Sequence, residues 1–310
     1  MRVAITGSTG LVGEAVVAEL GSLGHGPVRV VRNVVPDELP AIRWDPVRSE
    51  IDADALAEVD AVIHLAGEPI AARRWSEHQK ARIRDSRIDG TTFISETLAG
   101  LPHGPRVLIS SSAIGYYGER GDEVLTEHSG PGAGFITDVC MGWEASTRVA
   151  EAAGVRVVHA RTGIVLSPTG GSLAEQLPFF RFGLGGRFGS GRQWWSWVSL
   201  TDVVRALIWL LDADQRGPVN ITAPNPVTNA EFTRTLGRVL RRPTPIPTPK
   251  LGVWARLGRE LTEALVYTST RVHPSVLVEG GFEFVHPLLE PALRELLDRP
   301  GSAGHPIGSG

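Results

Sequence analysis

The feature that most limits what this chain can fold into lies at its start. Val3-Ala4-Ile5 is an apolar strand pattern, and it runs straight into Thr6-Gly7-Ser8-Thr9-Gly10-Leu11-Val12-Gly13, where a helical pattern begins. Three glycines at a spacing of three, between a strand and a helix, form a loop that brings backbone amides and the positive end of the helix dipole to a pyrophosphate. Gly7 is read as the turn, Gly10 as the point where phosphate meets backbone, and Gly13 as the close contact of helix with strand. Gly7, Thr9, Gly10, Leu11, Val12 and Gly13 are therefore the expected phosphate-binding residues.

The rest of the chain repeats the alternation. Apolar runs at Val28–Val31, Ala41–Trp44, Ala61–Leu65, Val107–Ile109, Val155–Ala160 and Val219–Ile221 are separated by segments of helical period. The helical segments are Leu11–Leu20 (with Leu11, Ala15 and Ala18 on one face), Ser76–Leu98, Phe135–Ala153 and Thr201–Leu211. The pattern predicts α/β architecture: a doubly wound parallel sheet of the NAD(P)-binding Rossmann type. Ser76 with Gln79, and Thr228 with Glu231, are spaced as capping boxes. Beyond 222 the character changes. Helices are expected to about Leu240, over Leu251–Leu265 and over Leu288–Leu297, with Arg242–Pro249 too rich in proline for a helix or a central strand. The expected division is a Rossmann domain over 1–222 that lends 168–200 to a substrate lobe, a smaller mixed C-terminal substrate lobe over 223–298, and a disordered tail over 299–310.

Composition excludes several classes. The single cysteine, Cys140, allows no internal disulfide and no all-cysteine metal site. No apolar run approaches the ~18 residues of a membrane span, and strand pattern follows the first methionine at once. A net charge of −3 gives no reason of its own to expect nucleic acid or an anionic membrane as partner. The expectation is a cytoplasmic monomer or homodimer acting on a small molecule. Asn220-Ile221-Thr222 matches a glycosylation sequon and is read as chance. No metal is expected, because no His-Glu-x-x-His pattern appears; neither does a Walker loop or a Gly-x-Ser-x-Gly elbow.

At the end of the second strand, Arg32 stands where a carboxylate would hydrogen-bond the ribose diol of NAD. A guanidinium suits a 2′-phosphate instead, so the expected cofactor is NADP.

With Leu65-Ala66-Gly67 ending the fourth apolar run and Ser110-Ser111-Ser112 following the fifth, the chain resembles the extended short-chain dehydrogenase/reductase superfamily. Within it, the chain is similar to the atypical nucleotide-sugar epimerase-like branch, also labelled cell-division inhibitor-like, with its small C-terminal domain. The narrower likeness rests on His64–Ile70, Arg73-Arg74-Trp75, Arg84–Ile88, Ala113–Gly118, Trp143-Glu144-Ala145, Arg161–Leu166, Gly189-Ser190-Gly191, Trp197-Val198-Ser199, Thr228–Phe232 and Gly280–Phe284, and covers residues 1 to about 298. The resemblance implies that Leu65, Ala66 and Gly67 pass beneath the adenosine, that Arg87 stands where related chains carry an asparagine reaching the cofactor, and that Ser110 and Thr162 lie near the nicotinamide end. Arg82 could support the phosphates, although a solvated helix face is the preferred reading. His64 is read as a hydrogen-bonded core residue.

Hydride chemistry in that superfamily normally uses Tyr-x-x-x-Lys with a serine. This chain cannot contain the pair: its tyrosines are Tyr116, Tyr117 and Tyr267, and its lysines are Lys80 and Lys250. The two places in the helix read Ile136 and Cys140, with Cys140 expected to be buried. Ser112 occupies the place of the usual serine, and Tyr116 and Tyr117 follow it as acid/base candidates or packing residues; Asp138 and Glu144 are alternatives. Aromatics at Phe179–Phe182 and Trp194–Trp197 would line a substrate cleft or pack between lobes. Two functions stay open: an NADP(H)-dependent oxidoreductase or epimerase acting on a small hydroxy- or keto-bearing substrate that could be nucleotide-linked, and a non-catalytic NADP(H)-binding sensor or partner-binding protein.

Overall fold

A computed structural model describes residues 1–33 and 39–298. Its centre is an eight-stranded sheet. In chain order the first six strands are β1 (Arg2–Thr6), β2 (Gly26–Val31), β3 (Ala41–Asp45), β4 (Glu50–Ile51), β5 (Ala61–His64) and β6 (Val107–Ala113), followed by Arg156–Thr162 and Gly217–Ile221. Across the sheet the order is Gly217–Ile221, Arg156–Thr162, β6, β5, β1, β2, β3, β4, and every pairing is parallel except that of β3 with the short β4. The chain winds outward from β1 in both directions, so β1 and β5 flank the crevice where doubly wound sheets take ligands. This is the Rossmann architecture expected from the alternation.

Burial explains the strands. All four residues of β5 are inaccessible, as the continuous apolar run of a central parallel strand requires. Two cores form on the two faces. One joins Val3 and Ile5 to Val16, Val17 and Leu20 of α1 (Leu11–Ser22) and to Leu207 and Leu210 of the helix Leu200–Asp212. The other joins Ala4, Val28, Val30 and Val62 to Leu56 of α2 (Ala53–Ala57) and to Ile94 and Leu98 of α3 (Glu77–Gly100). A third cluster mixes Leu166, Leu177, Phe180, Trp195 and Trp197 with Phe232, Leu236 and Leu293, so parts of 166–197 and 223–293 share one core. Leu277 and Phe282 pack with the first core instead.

Several elements differ from expectation. Ala18 is exposed, and α1 buries Val16, Val17 and Leu20. The long helix from Phe135 divides into α4 (Phe135–Ala145) and a turn of helix at Arg148–Ala152, because the hydroxyls of Ser146 and Thr147 donate to the carbonyls of Gly142 and Glu144 at 2.8 and 2.9 Å. Gly258, at φ +86°, divides the helix expected over Leu251–Leu265 into Lys250–Leu257 and Arg259–Leu265. A helix at Gly171–Arg181 was not expected. Only half of the first capping box forms: Ser76 accepts from the Gln79 amide, but the Gln79 side chain donates to Glu68. Asn220 is wholly buried within its strand, which leaves no place for a glycan. The expected disordered tail lies outside the described residues.

Candidate active site

The loop Thr6–Gly13 joins the C-terminal end of β1 to α1. At φ +64° and with Leu65 C only 2.8 Å from where a Cβ would stand, Gly7 can be nothing but glycine. A Cβ on Gly13 would lie 2.2 Å from Gly7 O. Gly10 differs from both: a Cβ there would approach only Gly7 O, at 3.3 Å, and Thr9 and Gly10 are exposed. Helix α1 has no side-chain cap, so no side chain occupies the amides at its start beside an open cradle. Ser8 adds a buried hydroxyl without a hydrogen-bond partner. A diphosphate fits this donor set, since it supplies the acceptors that the loop lacks.

The floor of the cradle is held by a buried chain of hydrogen bonds. Thr6 Oγ1 accepts from the amides of Leu65 and Ala66 at 3.0 and 3.1 Å, so its own proton goes to His64 Nδ1, 2.8 Å away. His64 is then neutral, and its Nε2–H donates to Thr91 Oγ1 at 3.0 Å, which also accepts from Trp143 Nε1 at 2.9 Å. Burial pushes the His64 pKa down to about 4, so the ring stays uncharged at neutral pH. Leu65 and Ala66 are half-buried and Gly67 exposed, a surface over which a ligand could pass.

Arg87 of α3 sits under this segment. Its Nη1 donates to Glu68 O at 3.0 Å and Ile83 O at 3.1 Å, and its guanidinium lies 5.0 Å from the centre of the Trp143 ring. Burial lowers its pKa. Arg82, by contrast, pairs with Glu68 at 3.1 Å on the exposed helix face. Arg32 is exposed at the end of β2, while Arg29, within that strand, donates to Ser8 O at 2.8 Å and braces the loop.

Next to the cradle, side chains from β6, α4 and the strand Arg156–Thr162 converge. Ser112 Oγ donates to Glu144 Oε1 at 2.7 Å. Arg161 grips Glu144 with both arms of its fork, Nε to Oε1 and Nη2 to Oε2, each at 2.7 Å. Its remaining nitrogen, Nη1, donates to Tyr117 Oη at 3.0 Å, and that hydroxyl donates to Asn220 Oδ1 at 2.7 Å. Tyr116 lays its ring on the guanidinium, with Arg161 Cζ 3.5 Å from the ring centre. Burial opposes the charge on Arg161, but the Glu144 hydrogen bonds and charge outweigh it and raise its pKa.

Two expected site residues do not face the cleft. Tyr117 is fully buried, its hydroxyl engaged by Arg161 and Asn220 and its pKa raised by burial, the surroundings of a packing residue. Ser110 is also fully buried, its hydroxyl 3.5 Å from Ser111 O; it lies beneath the site. Thr162 is half-buried at the strand end, its hydroxyl 3.3 Å from Ala160 O. Asp138 is exposed on α4, and Glu144 alone of the two helix carboxylates reaches Ser112. Cys140 is buried as expected, and burial, with Glu144 nearby, pushes its thiol pKa up to about 12. Among the aromatics, Phe180, Trp195 and Trp197 are core, whereas Phe179 and Phe182 are exposed. A cleft of about 550 Å³, lined by Gly170, Ala174, Glu175, Phe179 and Arg256, opens where Leu11 packs against Gly170.

Arg161 and Asn220 are the residues that the sequence reading passed over. A signal was present: an arginine ending the apolar run Val157–Ala160, and a buried-strand asparagine, are both costly unless partnered.

Among the described residues no helix is long and apolar enough to cross a membrane, and no His, Cys, Asp and Glu side chains cluster as metal ligands. Comparison with known proteins agrees with the architecture. The profile of the NAD dependent epimerase/dehydratase family matches residues 3–222, and a domain of unknown function, DUF1731, matches residues 245–296. The chain is 46% identical over 300 residues to epimerase family protein Mb2239 of Mycobacterium bovis, covering 96% of this chain and 98% of the relative. It is 33% identical to epimerase family protein YfhF of Bacillus subtilis over 301 residues, covering 96% and 98%. The crystal structure of human epimerase family protein SDR39U1 (isoform 2) with NADPH superposes with a TM-score of 0.86 at 31% identity, covering 96% of this chain and 99% of that one. The glycine cradle, the sheet order and these likenesses together establish that the chain belongs to the NAD dependent epimerase/dehydratase family, in the branch that carries a C-terminal DUF1731 domain.

Proposed function

We propose that this protein is an NADP(H)-binding oxidoreductase or epimerase of the extended short-chain dehydrogenase/reductase type, acting on a small hydroxy- or keto-bearing substrate. The observation that carries the reading is the contact of Ser112 with Glu144, 2.7 Å apart beside the cradle. The division of labour follows the expected domains: 1–222 holds the cofactor, and the lobe over 223–298, with part of 168–200, covers the substrate.

The cradle residues Gly7, Thr9, Gly10, Leu11, Val12 and Gly13 would bind the diphosphate, Leu65 to Gly67 and Arg87 the ribose and adenosine side, and Arg32 the 2′-phosphate. The human relative crystallised with NADPH supports this choice of cofactor. When bound, a nicotinamide supplies hydride transfer. The protein's own residues handle the proton. Ser112 is only 4% exposed; because it donates to Glu144 its lone pairs remain free, and a proton accepted there from a substrate hydroxyl that reaches it would move on to Glu144 Oε1 and return by the same path in the reverse direction. Arg161 fixes the carboxylate in the orientation that Ser112 needs. Tyr116, half-buried and stacked on Arg161, is the phenol left to face a substrate.

The test is a substrate screen followed by NADPH absorbance, with Ser112→Ala and Glu144→Gln beside the wild type. Each variant is expected to lose roughly 10²–10⁴-fold in kcat while keeping NADPH affinity. Full activity in both would overturn the assignment. Tight NADPH binding with no reactive substrate class would favour the sensor reading, for which the missing Tyr-x-x-x-Lys pair speaks.

A further inference from the structure

The net charge of −3 conceals a segregation. No aspartate or glutamate occurs in residues 176–201 or in 232–259, while these segments hold Arg181, Arg187, Arg192, Arg234, Arg238, Arg241, Arg242, Lys250, Arg256 and Arg259. The fold lays the two segments side by side. Thr248 donates from its amide to Arg187 O at 2.9 Å and from its hydroxyl to Gly186 O at 3.0 Å, Arg242 Nε donates to Arg181 O at 2.8 Å, and Phe188 bridges to Thr248. Among the described residues Arg181, Arg187, Arg241 and Arg242 form no ion pair with a carboxylate, whereas Arg238 and Arg256 pair with Glu290 and Glu175.

From the same two segments apolar side chains stand out into solvent. Phe182 is 80% exposed, Leu184 73%, Ile246 73% and Leu251 74%. Leu184 lies in the glycine-rich turn after the helix Gly171–Arg181, and Ile246 in the proline-rich segment that runs beside it. Isolated apolar tips ringed by unpaired arginines suit a surface that is anionic outside and apolar just beneath. A bilayer with anionic headgroups has this arrangement. A nucleic acid matches the charge but offers nothing to Leu184, Ile246 or Leu251, and a second copy of the same face would set arginine against arginine. We propose that this face of the substrate lobe docks peripherally on anionic phospholipid. The inference does not depend on the cofactor reading.

The test is sedimentation of the purified chain with vesicles of phosphatidylcholine alone or mixed with phosphatidylglycerol. Binding is expected only to the mixed vesicles and should weaken as salt is raised. Arg181→Gln with Arg241→Gln should weaken it roughly thirty-fold, and Phe182→Ser with Leu184→Ser and Ile246→Ser should abolish it, with unchanged unfolding midpoints because all these side chains are exposed. The proposal is overturned if mixed vesicles bind no better than neutral ones, or if the apolar variant binds them as well as wild type. It is also overturned if duplex DNA binds more tightly than the vesicles, or if light scattering finds a dimer that the apolar variant dissolves.

Discussion

The cradle and the Ser112 cluster lie on neighbouring strands of one parallel sheet, toward the C-terminal edge, yet they are built in different ways. The cradle is backbone: a turn at Gly7, a bare helix terminus and two loops in contact. Its parts are near neighbours in sequence, except where Thr6 and Gly7 meet Leu65 and Ala66 and where Arg29 braces Ser8. The Ser112 cluster is made of side chains from five separate segments, joined across sequence gaps of 17 to 103 residues by charge and hydrogen bonds. A backbone site tolerates change in its surroundings but no added atom within it. A side-chain cluster tolerates an isosteric change but no lost partner.

In the cradle the contrast is expected at Gly10. Valine there should leave the fold intact, because a Cβ meets only one backbone atom, at the tolerable distance of 3.3 Å, while its branches fill the cradle. NADPH affinity should fall by about a hundred-fold or more, a loss of roughly 2.7 kcal/mol. Calorimetry showing unchanged affinity would mean that the loop is not the phosphate site.

In the side-chain cluster the corresponding loss is in stability. Arg161→Met leaves the Glu144 carboxylate buried without its partner, and should cost about 3–5 kcal/mol in urea unfolding. Adding Glu144→Leu should recover most of it, since an apolar pair carries no desolvation penalty. If the double variant is no more stable than the single one, packing and not charge holds the cluster.

His64, under the cradle and bonded to Thr6 and Thr91, is expected to show a pH signature. Its folded pKa, about 4, lies below the ordinary value of 6.5, so below pH 6.5 the unfolded chain takes up the proton first. Its contribution is complete above pH 6.5 and lost progressively as pH falls to about 4, by at most about 3 kcal/mol. Burial also lowers the pKa of His159, so urea unfolding of wild type and His64→Asn should be compared across this range. Parallel pH profiles would show that His64 is not the source.

The smallest effect is expected at the rim of the cradle. Arg32 is exposed, and Arg32→Ala should cost roughly 1.5–3 kcal/mol of NADPH affinity and leave NADH binding unchanged. Equal affinity of the wild type for both cofactors would remove Arg32 from the 2′-phosphate site and turn attention to Arg29, which already touches the loop.

What could be read from the sequence follows the same division. The parallel sheet and the glycine loop are legible because they depend on local pattern: apolar runs for buried strands, glycine where backbone meets backbone, and a helical period that begins within the loop at Leu11. The absence of Tyr-x-x-x-Lys was legible by inspection of three tyrosines and two lysines. Tertiary structure alone decided the rest. Ser112, Tyr116 and Tyr117 stand within a few residues of one another, but only the folded chain turns Tyr117 into the core, Tyr116 onto Arg161 and Ser112 toward Glu144. It also chose Glu144 over Asp138, which differ in sequence by less than two helical turns but face opposite environments. Local sequence sets which backbone shapes are cheap. Which side chains meet across the sheet depends on strand order, register and helix rotation, and these are settled only when the whole core is packed.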